Sequence, residues 1–224
     1  MMRGLILDTS TERGVVALFE EENVLLEIEL PFGIQTAQFL IPQLKEKLDS
    51  LNIDIKTLNS ITVGVGPGSY TGIRIGATFA KTLAFALKIP LVGICTLDAF
   101  IPTKDVCFAV LIDAKVGGAY MQKGLSKNGK IEVISPPAII PLDELAPYLT
   151  DISVIVTPYK EKLKLKLDTL YPANGWSWEE KKPSCRHLLT LSKKKMSEKT
   201  PLKNLELLYM RKTQAEINRD ALLS

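Results

Sequence analysis

The segment 66–87 has the sequence GPGSYTGIRIGATFAKTLAFAL, and it decides how the fold is read. The apolar run 60–66 before it predicts a buried strand, and residues 72–87 predict a helix. Glycines between a strand and a helix expose backbone N–H groups, which suits a bound anion or the close approach of another backbone. The loop lacks the Gly-Lys-Ser/Thr ending of a P-loop and the acidic partner of a dinucleotide motif. A phosphate site and a tight structural turn therefore both stay open.

The helix predicted after this loop is apolar around nearly its whole circumference. Ile73, Ile75, Phe79, Leu83 and Phe85 belong to it, and glycine and alanines between them allow close approach of a neighbouring helix. A helix without a polar face lies either inside a core or at a subunit interface. Both positions are open for this helix.

The chain before this segment predicts a β-meander and one helix. Three extended runs, 3–9, 14–20 and 23–30, are joined by short polar turns, which predicts three antiparallel strands. Apolar residues at helical spacing from Ala37 to Leu51 then predict an amphipathic helix. Because proline in a helix interior costs about 3 kcal/mol, Pro42 is expected in the first turn or two, or at a kink.

A second series of strands follows the segment. Residues 91–95 predict a short strand, and the best lobe boundary lies near Pro102. A strand ending in aspartate and followed by a meander occurs twice, at Asp8 and again at Asp113, which indicates two related lobes. The remaining predictions are strands at 106–113, 118–125, 130–135 and 153–156, and helices near 142–149, 184–191 and 201–212, with lysine-rich polar chain after residue 156.

The composition is that of a globular protein. Of 224 residues, 46% are hydrophobic and 24% are charged, which argues against disorder. No signal peptide and no apolar stretch long enough to span a bilayer is found, so a soluble protein is expected. The three cysteines are widely spaced, which suits buried thiols in a reducing compartment. A cytoplasmic location is the resulting expectation.

Positive charge is concentrated near the C-terminus. Residues 160–224 hold 15 basic and 8 acidic side chains, including the run Lys193, Lys194 and Lys195. Such a surface suits a phosphate-bearing partner such as RNA, but a solvated lysine-rich face is the commoner explanation.

Residues that could carry catalysis are scarce. His187 is the single histidine, so a histidine metal site or a Ser-His-Asp triad has almost nothing to use. Cys95 follows an apolar strand and is more simply explained as a core residue. The sequence Asp8-Thr9-Ser10 suits phosphate or hydrated magnesium, and it equally suits the hydrogen bonding of a tight turn.

Several of these segments resemble the TsaB (YeaZ) family, the bacterial partner in threonylcarbamoyladenosine modification of tRNA. The loop GPGSYTG followed by IRIG is highly specific, whereas Asp-Thr-Ser alone is weak. The resemblance covers the first hundred residues well and residues 125–200 loosely. The matching segments are 5–10 (LILDTS), 38–42 (QFLIP), 66–87, 90–97 (PLVGICTL), 112–115 (IDAK) and, without the family's proline, 207–211 (LLYMR).

The resemblance implies an α/β, actin-like (ribonuclease H-like) ATPase-superfamily fold with two related lobes, each with a mixed sheet and flanking helices. The lobes are expected at residues 1–102 and 103–224, the second being smaller and degenerate and ending in the basic tail. The resemblance also implies that the two helices of the first lobe pair with the same helices of a catalytic TsaD-like subunit. The expected interface residues are Ala37, Leu40, Ile41, Leu44, Ile73, Arg74, Ala77, Ala80, Lys81 and Ala84.

The implied function is that of a non-catalytic partner. It binds and activates the TsaD-like subunit that installs threonylcarbamoyl on the adenosine next to the anticodon of tRNA. This chain lacks the two metal-binding histidines of TsaD, so no catalytic residue and no metal is expected. Further expectations are a TsaE-like ATPase in the complex, indirect contact with tRNA, a homodimer when the partner is absent, and no membrane contact.

The resemblance implies no cofactor for the chain alone, with ATP or ADP at a partner interface. A vestigial phosphate or nucleotide site is expected at Asp8, Thr9, Ser10, Gly66, Gly68, Ser69, Thr71 and Asp113.

Two other functions compete with this one. A self-sufficient actin-fold ATPase or small-molecule kinase would need an adenosine-binding Gly-Gly segment in the second lobe, and Gly117-Gly118 lies too early, in a turn. A metallopeptidase is disfavoured by the single histidine.

Overall fold

A computed structural model describes residues 2–115, 117–172, 174–197 and 205–211 of the chain. The first of its mixed sheets has the order β3-β2-β1-β4-β5, and β1 runs antiparallel to β2 and parallel to β4. Its strands are β1 (Arg3–Asp8), β2 (Gly14–Glu20), β3 (Asn23–Leu30), β4 (Ser60–Gly64) and β5 (Leu91–Ile94).

The second sheet has the order β11-β10-β6-β7-β8, with β9 paired to β7 beside this path. Here β6 runs antiparallel to β7 and parallel to β10. The strands are β6 (Cys107–Asp113), β7 (Gly118–Lys127), β8 (Lys130–Val133), β9 (Ala138–Pro141), β10 (Val154–Thr157) and β11 (Trp178–Glu180).

The two sheets share one topology. In each, a three-stranded antiparallel meander is extended by two parallel strands next to its first strand. The strand β6 in the second sheet is therefore equivalent to β1 in the first, and Asp8 and Asp113 end these two strands. The internal duplication read from the sequence is confirmed, as is the two-lobed α/β fold.

Helices cover both sheets. The helices α1 (Ile34–Ser50) and α2 (Tyr70–Leu87) pack on the outer face of the first sheet, and α3 (Lys160–Leu170) packs against the second. The helix α4 (Cys185–Ser197) contacts β5 and β1, and its Ser192 hydroxyl lies 2.5 Å from that of Thr62 on β4. The C-terminal part of the chain thus returns to the first lobe.

The core follows the alternation of side chains along each strand. On β1, Leu5 and Leu7 face α1 and α2, whereas Ile6 faces the second lobe and α4. Each of these side chains is almost fully buried. At about 1.5–3 kcal/mol for each large apolar side chain, the shared inner cluster makes a major contribution to holding the two lobes together.

Four predicted elements differ from the structure. In place of the helix predicted near 142–149 there are two short 3-10 helices, Leu142–Glu144 and Ala146–Leu149.

Pro42 is the ninth residue of α1 and lies beyond the first two turns, so the first of its two expected positions is wrong, and the alternative of a kink stays a prediction. Pro42 and Gln38, whose carbonyl loses its helical hydrogen-bond partner, are both exposed to water. The lysine-rich chain from residue 160 is helical because Leu163 and Leu167, four residues apart, are buried against the second sheet.

The helix predicted at 201–212 is wrong over residues 205–211, which have no regular secondary structure. Leu205, Leu207 and Leu208 pack along the first lobe instead, and the N–H of Leu208 donates to the carbonyl of Val65 at 2.8 Å. Residues 201–204 and 212 lie outside the described residues.

No helix within the described ranges has both the length and the apolar character required to cross a lipid bilayer.

Candidate functional site

The glycines of α2 and its loop make room for the turn after β1. A Cβ at Gly68 would lie 2.2 Å from the carbonyl oxygen of Ser10, and one at Gly72 would lie 2.0 Å from that of Thr9. A Cβ at Gly76 would lie 2.6 Å from the Thr9 hydroxyl. These distances are far inside van der Waals contact. The glycines therefore serve the close approach of another backbone, one of the two functions considered from the sequence.

Hydrogen bonds use the polar groups of this contact. The N–H of Ser69 donates to the carbonyl of Ser10 at 2.7 Å, and the Thr9 hydroxyl donates to the carbonyl of Gly72 at 2.6 Å. The Ser69 side chain caps α2 by accepting from the N–H of Gly72 at 3.3 Å. Two of the donors at the start of the helix are thus already satisfied within the protein.

Asp8 lies behind this contact rather than in an open site. Its Oδ1 accepts from the N–H of Ser10 at 2.8 Å, and its Oδ2 accepts from the Thr96 hydroxyl at 2.8 Å. The residue is 1% exposed, and its burial raises the pKa of the carboxyl, against the opposing effect of these hydrogen bonds. Thr96, which the sequence analysis missed, also accepts from the N–H of Gly66. Its only signal is a hydroxyl directly after a predicted strand.

A cleft of about 220 Å³ lies between the lobes. Typical small-molecule sites have volumes of roughly 300–1,000 Å³, so this cleft is too small for most such ligands but large enough for a phosphate-sized group. Of the eight residues expected in a vestigial phosphate site, Asp8, Thr9 and Gly66 are buried behind its wall. The five that line it are Ser10, Gly68, Ser69, Thr71 and Asp113.

Charged side chains at the cleft form ion pairs, one of which joins the two lobes. The Lys115 ammonium lies 2.9 Å from Glu12 Oε1, and Asp113 accepts from the Lys166 ammonium at 3.0 Å. Burial tends to raise the pKa of Asp113, but its hydrogen bonds to the Lys115 N–H and to Lys166 outweigh it and lower the pKa. The Asp113 carboxyl therefore stays ionised at neutral pH and positions Lys115 and Lys166 at the cleft.

The segment Leu205–Arg211 closes one side of the cleft. Tyr209 stacks on Tyr70 at the start of α2 with ring centres 4.4 Å apart, and the Arg211 guanidinium donates to the carbonyl of Ala114 at 2.6 Å. The segment thus joins the first turn of α2 to the loop after β6.

The outer face of α1 and α2 differs from the predicted interface. Six of the ten expected residues are buried within the single chain, because α1 and α2 turn their smaller and aliphatic side chains toward the first sheet. Ala37, Ile41, Arg74 and Lys81 are exposed. The buried residues are Leu40, Leu44, Ile73, Ala77, Ala80 and Ala84.

The expectation that α2 lacks a polar face is wrong. Arg74, Thr78, Lys81 and Thr82 form an exposed polar stripe along it. The sequence suggested a helix that is apolar on every side because α2 contains many alanines. Several of these alanines pack closely on the sheet, and the polar stripe on the opposite side of α2 remains exposed.

Apolar side chains are nevertheless exposed on the same two helices. Phe85 of α2 is 88% exposed and Ile41 of α1 is 59% exposed, and Phe39 is also exposed. Ile41 also lines a groove of about 800 Å³, together with later residues of α1, residues 52–55 after it and Phe79 of α2. Apolar surface of this extent next to a groove is typical of protein–protein contacts.

Neither His187 nor Cys95 has the features of a reactive group. Burial lowers the pKa of His187 while Asp98 nearby opposes that effect, and burial raises the pKa of Cys95 to about 12. A thiol with that pKa is protonated at neutral pH and is a poor nucleophile. Within the described residues, no three His, Cys, Asp or Glu side chains lie together in a way that could hold a metal ion.

Comparisons with known proteins agree with this geometry. The protein family described as "TsaD: tRNA N6-adenosine threonylcarbamoyltransferase" matches residues 35–165, more than half of the chain. A protein of Bacillus subtilis (strain 168) named tRNA threonylcarbamoyladenosine biosynthesis protein TsaB is 33% identical over 135 residues, 59% of each chain. The protein of the same name from Escherichia coli (strain K12) is 31% identical over 150 residues, 62% of this chain and 64% of that one. The chain thus matches about three fifths of the length of these relatives.

Solved structures show the same fold. The structure named YeaZ from Pseudomonas aeruginosa has a TM-score of 0.73 and 25% identity, over 88% of this chain and 93% of that one. A second structure, described as an uncharacterized protein with similarity to peptidase YEAZ from Pseudomonas aeruginosa, has a TM-score of 0.78 and 23% identity. It covers 94% of this chain and 100% of that chain, and at this identity it supports the fold alone.

Proposed function

The chain belongs to the TsaD family, and from that membership we propose that it is a non-catalytic subunit of the machinery that makes threonylcarbamoyladenosine in tRNA. In this role it binds and activates a TsaD-like catalytic subunit. The names of the relatives in B. subtilis and E. coli support the pathway. The exposed outer face of α1 and α2 is the observation that carries the role as a partner.

The side chains of this chain favour a non-catalytic role. Transfer of a threonylcarbamoyl group needs side chains that reach a substrate, and Asp8 is enclosed by Ser10, Thr96 and Gly64. The sequence contains a single histidine, so the chain cannot supply two metal-binding histidines. The catalytic groups would then come from the partner.

The docking surface is the exposed part of the two helices. Ile41, Phe39 and Phe85 supply apolar area, and the groove that Ile41 lines is a concave surface for a partner's side chains. Specific interfaces bury about 800 Å² on each partner, and two helices of 17 and 18 residues provide a face of that order. In the absence of the partner, the same face is available to a second copy.

Nucleotide and the other components come with the assembled complex. We propose that ATP or ADP binds at the contact with the partner, because the cleft of this chain is phosphate-sized and Glu12, Asp113 and Lys115 in it already form ion pairs. A TsaE-like ATPase would join the same complex, and tRNA would contact this chain only indirectly. Calorimetric titration with ADP should therefore give binding to the complex and none to the isolated chain.

Reconstitution of the modification tests the proposed function. The TsaD-like protein of the same organism, tRNA, ATP and the activated threonylcarbamoyl donor are incubated with and without this chain, and modified adenosine is measured by mass spectrometry. Modification is expected only when both proteins are present, and this chain alone should give none. Equal modification without this chain, or modification by this chain alone, would refute the role.

A further inference from the structure

Residues 205–211 cross from the first lobe to the second beside the cleft. Their three leucines pack on the core of the first lobe, and Met210 packs on the inner cluster that both lobes share. Arg211 then donates to the carbonyl of Ala114, which follows β6 in the second lobe. The segment has no regular secondary structure, so single contacts rather than a strand ladder hold it in place.

The leucine half of the segment fits a recess in the first lobe. A Cβ at Gly93 would lie 2.7 Å from Cδ1 of Leu205, and one at Gly66 would lie 3.0 Å from the carbonyl oxygen of Leu208. The first distance is far inside van der Waals contact, and the second is tighter than an ordinary contact. The N–H of Leu208 also donates to the carbonyl of Val65 at 2.8 Å. This half is therefore fixed to the first lobe.

The last three residues are held more weakly. Tyr209 is 38% exposed and lies on a ring at the start of α2, and Met210 is only partly buried. Arg211 has a neutral carbonyl as its acceptor, and no carboxylate pairs with it within the described ranges. By contrast, Arg13 reaches across the lobes to the carboxylate of Glu180. Contacts that are few and partly exposed open locally at a lower free energy than a packed core does.

Release of these residues would change the cleft. Arg211 forms part of its wall, together with Ser10 and Ser69 of the first lobe and Asp113 of the second. Ser10 lines the cleft and is nevertheless only 1% exposed, so the inner end of the cleft is almost closed to solvent. Displacement of Arg211 would remove one wall and let solvent reach that end.

We propose that residues 205–211 are a clasp with a fixed half and a movable tip. The fixed half is 205–208. The tip, residues 209–211, opens and closes the cleft between the lobes while the rest of the fold stays intact. This inference is independent of the proposed function, because it concerns a motion of the isolated chain and is tested on that chain alone.

A thiol at the inner end of the cleft measures the opening. The variant Ser10→Cys exchanges one atom at a residue that lines the cleft, and its reaction with a methanethiosulfonate reagent is followed by mass spectrometry. The same reaction is measured after Tyr209→Ala/Arg211→Ala is added to Ser10→Cys. Loss of the tip should speed the reaction at least about tenfold, since local opening then costs less. Equal rates with and without the tip would overturn the inference.

Tyr148→Ala/Arg186→Ala is the matched control. It removes one exposed tyrosine and one exposed arginine, neither of which lines the cleft. Added to Ser10→Cys, it should leave the rate of thiol modification unchanged. An increase as large as that caused by the tip variant would show a general loosening of the chain and contradict a specific closure by the tip.

Urea denaturation tests the division of the clasp into two halves. Leu205→Ala/Leu208→Ala should lower the denaturation midpoint, because it removes apolar contacts of the fixed half with the first lobe. Tyr209→Ala/Arg211→Ala should unfold close to the wild-type midpoint. A tip variant that lowers the midpoint as much as the leucine variant does would show that the tip unfolds only with the whole chain, which would refute its independent motion.

Discussion

Gly72 has no room for a side chain, because a Cβ there would lie 2.0 Å from the carbonyl oxygen of Thr9. The contact fixes how closely α2 approaches the turn after β1. We expect Gly72→Ala to lower the free energy of unfolding by about 3 kcal/mol or more, through backbone displacement. Urea denaturation measures this loss.

Gly129→Ala is the matched control for this prediction. Gly129 has a φ of 71° and open space around it, so the change adds only left-handed strain of about 1–2 kcal/mol. A loss at Gly72 no larger than that at Gly129 would contradict the close contact.

Asp8 makes stability depend on pH. Burial raises its folded pKa above the unfolded value, so its carboxyl favours the folded state below the unfolded pKa of about 4 and loses that effect as pH rises through the folded pKa. Asp8→Asn removes the charge at nearly constant shape. The variant should therefore gain stability relative to wild type between about pH 4 and pH 7. Urea denaturation at both pH values checks this, and a difference that shrinks with rising pH would be the wrong sign.

At the scale of elements, Ala80 and Lys81 are neighbours with opposite environments. Ala80 is fully buried against the first sheet, whereas Lys81 is exposed. Ala80→Glu should unfold the chain or cost more than about 3 kcal/mol, since it buries an unpaired charge. Lys81→Glu should melt within a few degrees of wild type. Thermal melts followed by circular dichroism distinguish the two, and similar melting temperatures would contradict the orientation of α2.

The same helix shows what sequence alone could predict. The hydrophobic pattern of the sequence predicts the helix α2 and the buried strand before it. It does not predict which face of α2 is exposed to solvent. Alanine is apolar yet small, so Ala77 and Ala80 could serve a core or an interface equally well. Only the position of the sheet decides between them. The sequence predicted the aspartates that end β1 and β6 and the glycine loop, and it missed Thr96 because a lone hydroxyl after a strand carries no distinctive pattern.

Local signals were weaker beyond the second meander. Leu163 and Leu167 are spaced as on a helix, but the dense lysines around them obscured α3. The strands β9 and β11 have only four and three residues, too few for any periodicity to emerge.

At the scale of the molecule, the basic C-terminal third and the acidic edge of the first sheet are complementary. Lys182 pairs with Glu27 on β3, Lys193 pairs with Glu22 in the turn before β3, and Lys195 donates to the carbonyl of Gly93. Part of the positive charge that suggested RNA binding is thus used between the lobes.

Reversal of single lysines in the run tests this pairing. Lys193→Glu should cost about 1 kcal/mol or less, as expected for an exposed ion pair, and Lys194→Glu should leave the free energy of unfolding unchanged. Neither should alter tRNA modification by the reconstituted complex. A large loss of modification, with a steep salt dependence of RNA binding, would show that these lysines contact phosphates.

The affinity of the TsaD-like protein for variants of the outer face tests the central claim most directly. Ile41→Asp and Phe85→Asp place charge on exposed apolar residues of α1 and α2, and Leu165→Asp does the same on α3, where Leu165 is 69% exposed. Calorimetry should show binding weakened about 100-fold for the double variant Ile41→Asp/Phe85→Asp and unchanged for Leu165→Asp. Equal affinity for wild type, the double variant and Leu165→Asp, each shown to be folded, would contradict docking through this face.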